Sequence, residues 1–599
     1  MNASLPLAAP RRTWFLRVRR ALQRSALAGL VLAVFVWLSA PFLFQWLDRR
    51  HPFLIESLEQ PSSGHLHAAS GGAEFARRVA LDEQWRRPIS LTEMGRWLPL
   101  ATTAIEDVRF YQHAGVDARA VLRAALRNVR SLRVREGAST LTMQLVDMTH
   151  RTPRSLRGKA VEAFRALQVE RLLTKDEILE RYLNAVPYGA NVVGASMGAE
   201  AWFGCAPSEL ALGEAALLAG LPQAPSRLQP DRHPERARAR RDAVLARMLK
   251  AKMITAGQAD AARAVPIPHR LWPANHGVPP LPATLHAAAW ALQEQPAGGA
   301  SSLRPRLQAL SDRLVQSHRA RFPAGTDIAV LAIDVASARV VCHVGSASAG
   351  DPLDGQVDGA RAWRSPGSTL KPFIYAAGMD QGLLDADSML EDTPLNLDGW
   401  RPTNFDELFG GRVTVADALR RSLNLPALRA GQLAGLGRCI GVLEAAGVVL
   451  PDASRVDSGL ALITGGTRVR LVDLVNAYAT LARGGLFRPV ELWDDLDARP
   501  QAAHATRAIS AETCAALNDI LSDEHRAPKI HGGASHIGGV GFMWKTGTSS
   551  GHRDAWAVGH NGELAVGVWV GRFSGAGDPA YVGAEAAEPI LAEFMAGLR

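Results

Sequence analysis

The sequence predicts a multidomain protein: a single N-terminal transmembrane helix, a mainly-α domain, then an α/β domain built on an antiparallel sheet. Three observations predict it. Residues 25–47 carry no charge at all. Residues 90–262 keep a helical apolar period with few Gly-rich turns. Beyond residue 328, short apolar runs flank turn signals, as strands do. Divided on this basis, the chain has a cytoplasmic tail (1–24), an anchor (25–47), a juxtamembrane segment (48–84), a helical domain (85–262), a linker (263–320) and an α/β domain (321–599).

The anchor comes first. A 23-residue apolar stretch spans a hydrocarbon core of about 30 Å as a helix. Upstream stand Arg11, Arg12, Arg17, Arg19, Arg20 and Arg24 with no acidic residue among them. That bias puts the N-terminus in the cytoplasm and everything after residue 48 on the far side. A cleaved signal peptide would have an apolar core of only about 7–15 residues, so the segment reads as uncleaved.

In the helical domain, Ala160, Val161, Phe164, Leu167 and Leu172 fall on one side of a helix over residues 156–173. The next helix opens with Thr174-Lys175-Asp176-Glu177, a capping box in which Thr174 and Glu177 satisfy orphan N–H groups reciprocally. Residues 265–305 are rich in Pro, Gly and Ala and read as the linker. Residues 328–335 and 340–344 then form a hairpin. A second hairpin joins residues 555–559 and 564–570 through Asn561-Gly562, the strongest short hairpin signal.

Composition narrows the function classes. With 47% apolar and 21% charged residues, the 599-residue chain builds packed cores. Four cysteines without a Cys-x-x-Cys pair exclude a disulfide scaffold and a thioredoxin signature. No repeat of solenoid length recurs. The net charge of +9 suits an anionic partner. Nucleic acid is excluded as that partner, because no aromatic residues interleave the basic ones and no nucleic-acid motif is present. His65 and His67 could pair on a metal but lack a third ligand, so no protein-built metal site is expected.

Chemistry in the α/β domain starts at Ser368-Thr369-Leu370-Lys371, which sets a hydroxyl and an amine one helical turn apart. A neutral lysine there takes the hydroxyl proton as the serine attacks a carbonyl. Alone, the motif is weak. Downstream, however, come Ser422-Leu423-Asn424 and then Lys545-Thr546-Gly547-Thr548, in the order and the helix-then-strand settings of an acyl-serine transferase. Only seven lysines occur among 67 basic residues, and two of them fall where this chemistry needs an amine or ammonium.

The helical domain has its own dense segments. Glu106 to Asp117 crowds functional side chains, including His113, beside a helical core. Ser139 and Thr140, before Leu141-Thr142-Met143-Gln144, suit a helix N-terminus that offers N–H groups to an anion. Lys159 and Glu162 share a helix face beside Arg157; taken alone, that spacing is a surface salt bridge.

The serine motifs, with Pro366-Gly367, Lys371-Pro372-Phe373, Pro402 with Asn404 and Leu425-Pro426-Ala427, resemble the penicillin-binding transpeptidase domain of class A penicillin-binding proteins. By that resemblance Ser368 is the nucleophile, Lys371 its base and Ser422 a proton relay. Asn424 and Lys545 hold the peptide stem along Thr546 and Gly547, and the N–H groups of Ser368 and Thr548 form an oxyanion hole. Residues 85–235, with Arg181-Tyr182-Leu183-Asn184, Gly189 and Ala201-Trp202-Phe203-Gly204, resemble the lysozyme-like glycosyltransferase domain of the same family. This implies Glu106 as general base and Glu162 as a second catalytic carboxylate. Lys159 and Arg157 would meet the diphosphate leaving group, and His113, Ser139, Thr140 and Gln144 would bind substrate. Met143 before Gln144 and the run from Pro222 to Leu228 favour one subtype within the class.

The resemblance implies a bifunctional peptidoglycan synthase. It polymerises a lipid-linked disaccharide-peptide precursor into nascent glycan and cross-links stem peptides through an acyl-Ser368 intermediate. The alternative is a glycosyltransferase whose acyl-serine domain only senses β-lactams or acts as a scaffold. The implied partners are the precursor and glycan, β-lactams at Ser368, other cell-wall synthesis proteins and the bacterial inner membrane, with both catalytic domains periplasmic. The transpeptidase needs no cofactor; a divalent cation is compatible with the glycosyltransferase. A serine β-lactamase would need a deacylating Glu before Leu-Asn, and the one such match, Glu180 to Asn184, precedes the nucleophile in the other domain. Transfer is therefore favoured over hydrolysis.

Three departures from the family pattern stand out. Asp147 occupies a usually basic position, Gly158 a usual arginine, and Ser301-Ser302-Leu303-Arg304 a usual Thr-Thr-x-Asp. Asp147 is expected to weaken compensation of the diphosphate, Arg157 stands adjacent to Gly158, and the serine run is expected to be a structural change only. The stop at Arg599 implies that the extra C-terminal domain of many relatives is missing.

Overall fold

The folded chain divides into two units, one drawn from residues 1–62 and 80–274, the other from 63–79 and 275–599. The computed structural model describes residues 38–39, 41–69, 74–80, 82–131, 139–150, 152–153, 155–189, 191–268, 284–349, 355–397, 399–452, 458–494, 505–522 and 542–598. Most of the expected anchor, and all of the expected cytoplasmic tail, lie outside these. Among the described residues no helix is long and apolar enough to cross a membrane.

The first unit is helical, as its periodicity predicts. Its core gathers Leu98 and Ala101 of the Trp97–Glu106 helix, Leu145 of Leu141–Thr149, Ile178 and Leu183 of Lys175–Ala185, and Leu217 of Leu212–Gly220. The helix predicted over 156–173 spans Leu156–Leu172, started by Ser155, whose Oγ accepts from the Gly158 N–H. The Thr174–Glu177 capping box forms as read. Three short strands, Trp85–Arg86, Pro187–Gly189 and Val192–Val193, make a small sheet that helical periodicity does not announce. Residues 41–50 are helical and dock on Leu156–Leu172: Gln168 Nε2 donates to Asp48 Oδ1 (2.6 Å), and Phe44 packs on Phe164 with centroids 5.4 Å apart.

The second unit is built on an antiparallel five-stranded sheet. Its order is Met543–Thr548, Asp554–His560, Leu564–Gly571, Asp327–Asp334, Val340–Val344. Both predicted hairpins are in it. Alternate residues face opposite ways, and both faces are covered, so Asp327–Asp334, Val340–Val344 and Leu564–Gly571 read as nearly continuous apolar runs. Leu331, Ile333 and Trp569 join the core under the Lys371–Met379 and Leu471–Ala482 helices. Val330, Ala332 and Val568 join the core under Pro305–Arg319 and Glu588–Ala596.

The segment read as linker contains folded elements. Helix Leu285–Glu294 buries Ala287, Trp290 and Ala291, and helix Pro305–Arg319 packs on the sheet. Its Pro, Gly and Ala content marks short turns and close packing here. Strand Gly298–Ala300 pairs in parallel with Gly64–His67, which pairs antiparallel with Glu74–Arg78. Residues 63–79 thus belong to the second unit. His65 Nδ1 bonds Glu74 Oε1 (2.8 Å) within this small sheet.

Candidate active sites

In the helical unit, Glu106 ends the Trp97–Glu106 helix, where the chain must leave the helical path. Its Oε2 accepts from Gln144 Nε2 (3.0 Å), and Gln144 Oε1 accepts in turn from the hydroxyl of buried Tyr182 (3.1 Å). Its Oε1 receives Arg240 Nη2 at 3.4 Å. One amide and one guanidinium donor therefore converge on this half-buried carboxylate. Arg240 sits in an arginine-rich helix, Pro234–Lys250, where no sequence signal separates it from its neighbours.

A second cluster lines a cleft of about 1300 Å³ in the same unit. Glu162 is 3% exposed and accepts from Lys159 Nζ (2.5 Å) and Thr152 Oγ1 (2.6 Å). A surface salt bridge is therefore the wrong description: the carboxylate is buried and only the lysine reaches solvent. Lys159 Nζ also lies 3.4 Å from Ser139 Oγ. Arg157 is exposed on the first turn of the same helix. Glu106 does not line this cleft.

Two residues expected to meet substrate are turned inward. Thr140 caps the Leu141–Thr149 helix, accepting from Met143 N (3.2 Å) and donating to Gly115 O (2.6 Å), so its hydroxyl is buried. His113 Nε2 bonds Asp107 Oδ2 (2.9 Å), which also accepts from Leu141 N (3.2 Å). Both tie the segment after Glu106 to the start of that helix, while the pair of Arg109 with Asp117 closes the segment on itself. Among the described residues, no three His, Cys, Asp or Glu side chains converge to hold a metal ion.

In the sheet-rich unit the three motifs meet. Ser368 lies in a 3-10 turn, Gly367–Leu370, running into the Lys371–Met379 helix. Lys371 Nζ donates to the Ser422 carbonyl (2.6 Å) and to Asn424 Oδ1 (2.8 Å). Lys545 Nζ donates to Ser422 Oγ (2.7 Å). One residue serves both lysines because Ser422 adopts φ 60°, a left-handed conformation rare for a non-glycine residue. Complete burial pushes the Lys371 ammonium down to about 7. Asn404 Oδ1 accepts from Asn424 N (2.8 Å) while its amide donates to buried Asp392 (2.7 Å), so the asparagine quoted with Pro402 props the Ser422–Asn424 turn from behind.

Glycines let the motifs approach. A Cβ on Gly547 would collide with the Pro366 carbonyl, and one on Gly367, at φ 54°, would lie 2.5 Å from the Thr548 carbonyl oxygen. Thr546 accepts from Lys545 through its carbonyl (3.0 Å), and Thr548 Oγ1 accepts from Gly583 N (3.0 Å). Among the described residues the Ser368 hydroxyl makes no hydrogen bond.

Residues 72–249 match the transglycosylase family, and residues 328–588 match the penicillin binding protein transpeptidase domain. The chain is 35% identical over 564 residues to penicillin-binding protein 1C of Escherichia coli, covering 92% of this chain and 70% of that one. The chain belongs to the class A penicillin-binding proteins. Penicillin-binding protein 1F of Bacillus subtilis is 28% identical, over 84% of this chain and 74% of its own. The fold is also that of penicillin-binding protein 1A from Haemophilus influenzae, with a TM-score of 0.54 at 19% identity over 90% of this chain and 92% of that one. A class A penicillin-binding protein carries both a transglycosylase and a transpeptidase, and this chain is a peptidoglycan synthase with both enzymes.

The departures from the class A pattern have local reasons. A Cβ at Gly158 would collide with the Pro153 carbonyl, so the arginine usual there does not fit this turn. Asp147 Oδ1 accepts from Thr152 Oγ1 (3.2 Å), the same hydroxyl that reaches Glu162. Ser302 Oγ reaches the Val340 and Leu492 carbonyls (2.6 and 2.9 Å), and Ser301 Oγ donates to the His67 carbonyl (2.8 Å). The serine pair is a structural tie.

Proposed function

We propose that Glu106 is the base of glycan polymerisation and Ser368 the nucleophile of cross-linking in this bifunctional peptidoglycan synthase. Glu106 takes the proton of the acceptor sugar hydroxyl, which attacks the anomeric carbon of the lipid-linked donor with inversion. The bond to the diphosphate breaks, and its charge is met by Lys159, with Arg157 on the same helix. Glu162 holds Lys159 in place. In the other domain Ser368 Oγ attacks the stem-peptide carbonyl as its proton passes to neutral Lys371, and the leaving amine is protonated through Ser422. The N–H groups of Ser368 and Thr548 stabilise the oxyanion, Asn424 and Lys545 hold the stem, and an acceptor amine then releases the acyl group. A β-lactam acylates the same serine.

The observation that carries this reading is the bonded chain Asn424–Lys371–Ser422–Lys545 assembled from three distant motifs. Anchoring in the bacterial inner membrane, with the catalytic domains periplasmic, rests on the uncharged run 25–47 and the arginines before it. It is also supported by Phe42, Leu43 and Trp46, which lie within that run and stay exposed on the helix over residues 41–50. Any divalent cation would arrive with the diphosphate of the substrate; other cell-wall synthesis proteins are partners in this reading.

The test is mass analysis of muramidase-digested product after incubation with lipid-linked disaccharide-pentapeptide. Cross-linked dimers should vanish in Ser368→Ala, and all polymer should fall roughly 10²–10⁴-fold in Glu106→Gln. Strands bearing only monomeric stems from the wild type would defeat the cross-linking half and leave a β-lactam-sensing or scaffolding domain.

A further inference from the structure

The sheet-rich unit holds a cleft of about 920 Å³ whose lining includes Trp363, Arg364, Thr467, Arg468, Ser549 and Arg553. Ser368, Ser422 and Lys545 do not line it, yet it abuts the turn that carries the nucleophile. Ser365 Oγ donates to the Gly465 carbonyl (2.8 Å), and a Cβ on Gly465 would lie 2.5 Å from Gly367 Cα. The opposite wall, Ser549, directly follows the Met543–Thr548 strand.

Positive charge dominates this space. Arg364 is stacked against Trp569, 5.3 Å from its centroid, and spends its Nη atoms on the Arg572 and Phe573 carbonyls (3.4 and 3.1 Å). Its buried Nε has no partner. Burial lowers this guanidinium from its usual value, Asp554 opposes the shift and neighbouring Arg468 adds to it. Arg468 and Arg553 are exposed and, among the described residues, belong to no ion pair. Among the described residues the one carboxyl lining the cleft, Asp554, is buried and accepts from the Trp569 indole (2.9 Å). Thr467 is 4% exposed and its hydroxyl has no partner. Among the described residues, three guanidinium groups, one committed carboxyl and a buried hydroxyl without a partner line the cleft, a set of donors suited to an anion. Guanidinium forks match a carboxylate in two parallel bonds.

We propose that this cleft binds a carboxylate of a peptidoglycan stem peptide through Arg468 and Arg553, with Thr467 and Ser549, and so aligns the stem beside Ser368. The inference rests on Ser368 being the transpeptidase nucleophile. Both the acyl donor and the amine acceptor are stems bearing carboxylates, and the assay tells them apart.

The full chain carrying Arg468→Gln with Arg553→Gln is compared with wild type in two assays. Fluorescent penicillin reports acylation of Ser368, and muropeptide analysis reports dimers and hydrolysed donor stems. An acceptor site predicts penicillin labelling within twofold of wild type, dimers down at least tenfold and hydrolysed donor stems retained. A donor site predicts the same labelling with dimers and hydrolysed stems falling together. Arg468→Lys with Arg553→Lys should restore only part of the loss, because the charge returns without the fork. Unchanged dimers in the double Gln variant overturn the proposal, as does penicillin labelling that falls in step with the dimers. A wild type not labelled at Ser368 overturns the nucleophile reading and this inference with it.

Discussion

Lys371 is the residue on which the acylation chemistry turns. Its ammonium is buried and displaced to about 7, so roughly half of it is the neutral base near that pH. Only the neutral amine accepts the Ser368 proton. The rate constant for acylation by a fluorescent penicillin should therefore climb as pH rises through about 7 and level off above it. Lys371→Arg fixes a positive charge that cannot leave, and should lower that rate roughly 10²–10⁴-fold at every pH. Gly158 is the second residue with a sharp consequence. Because its Cβ would meet the Pro153 carbonyl, Gly158→Ala overpacks the turn and should cost about 1–3 kcal/mol, seen as a lower melting temperature of the helical unit.

At the scale of elements, the transpeptidase site depends on how closely the Met543–Thr548 strand passes the Gly367–Leu370 turn. Gly547→Ala would push the strand from Pro366, and penicillin acylation should drop at least about tenfold, equivalent to ~1.4 kcal/mol at the barrier, while circular dichroism stays unchanged. The elements best legible in the sequence were those with strong local grammar. The Thr174–Glu177 box and the Asn561-Gly562 hairpin form where read, since caps and tight turns are decided by neighbouring residues. The seryl motifs were legible because their order and spacing are chemical requirements. Arg240 was not, because an arginine among arginines gains meaning only when folding brings it to Glu106. Nor was the inward turn of Thr140: a hydroxyl before a helix fits an anion site and a buried cap equally well. The helices at 285–294 and 305–319 were hidden by turn-forming residues between them.

For the whole molecule, the assignment of residues 63–79 to the second unit sets where the chain can be cut. A specific protease site placed between residues 269 and 283 would sever the backbone but leave Gly64–His67 paired with Gly298–Ala300. The two fragments should co-elute on gel filtration in native buffer and part only in denaturant. A transpeptidase begun at residue 320 would lose that sheet together with buried Trp290, a loss on the order of 3–5 kcal/mol for the tryptophan alone. It should melt earlier than the same unit within the full chain.

The same chain path imposes a schedule on synthesis. Strands Gly64–His67 and Glu74–Arg78 leave the ribosome before residues 80–274 are made, and their third strand, Gly298–Ala300, comes only after. At ~5–20 residues per second the wait is roughly 10–40 s. A lone two-stranded hairpin is at best marginally stable in water, and this one holds Leu66 and Phe75 for a core that does not yet exist. The nascent protein therefore passes through an interval in which its helical half can finish folding while a sticky hairpin upstream is still unmatched. Slowing translation just after residue 80 should lengthen that interval and raise the fraction lost to aggregation.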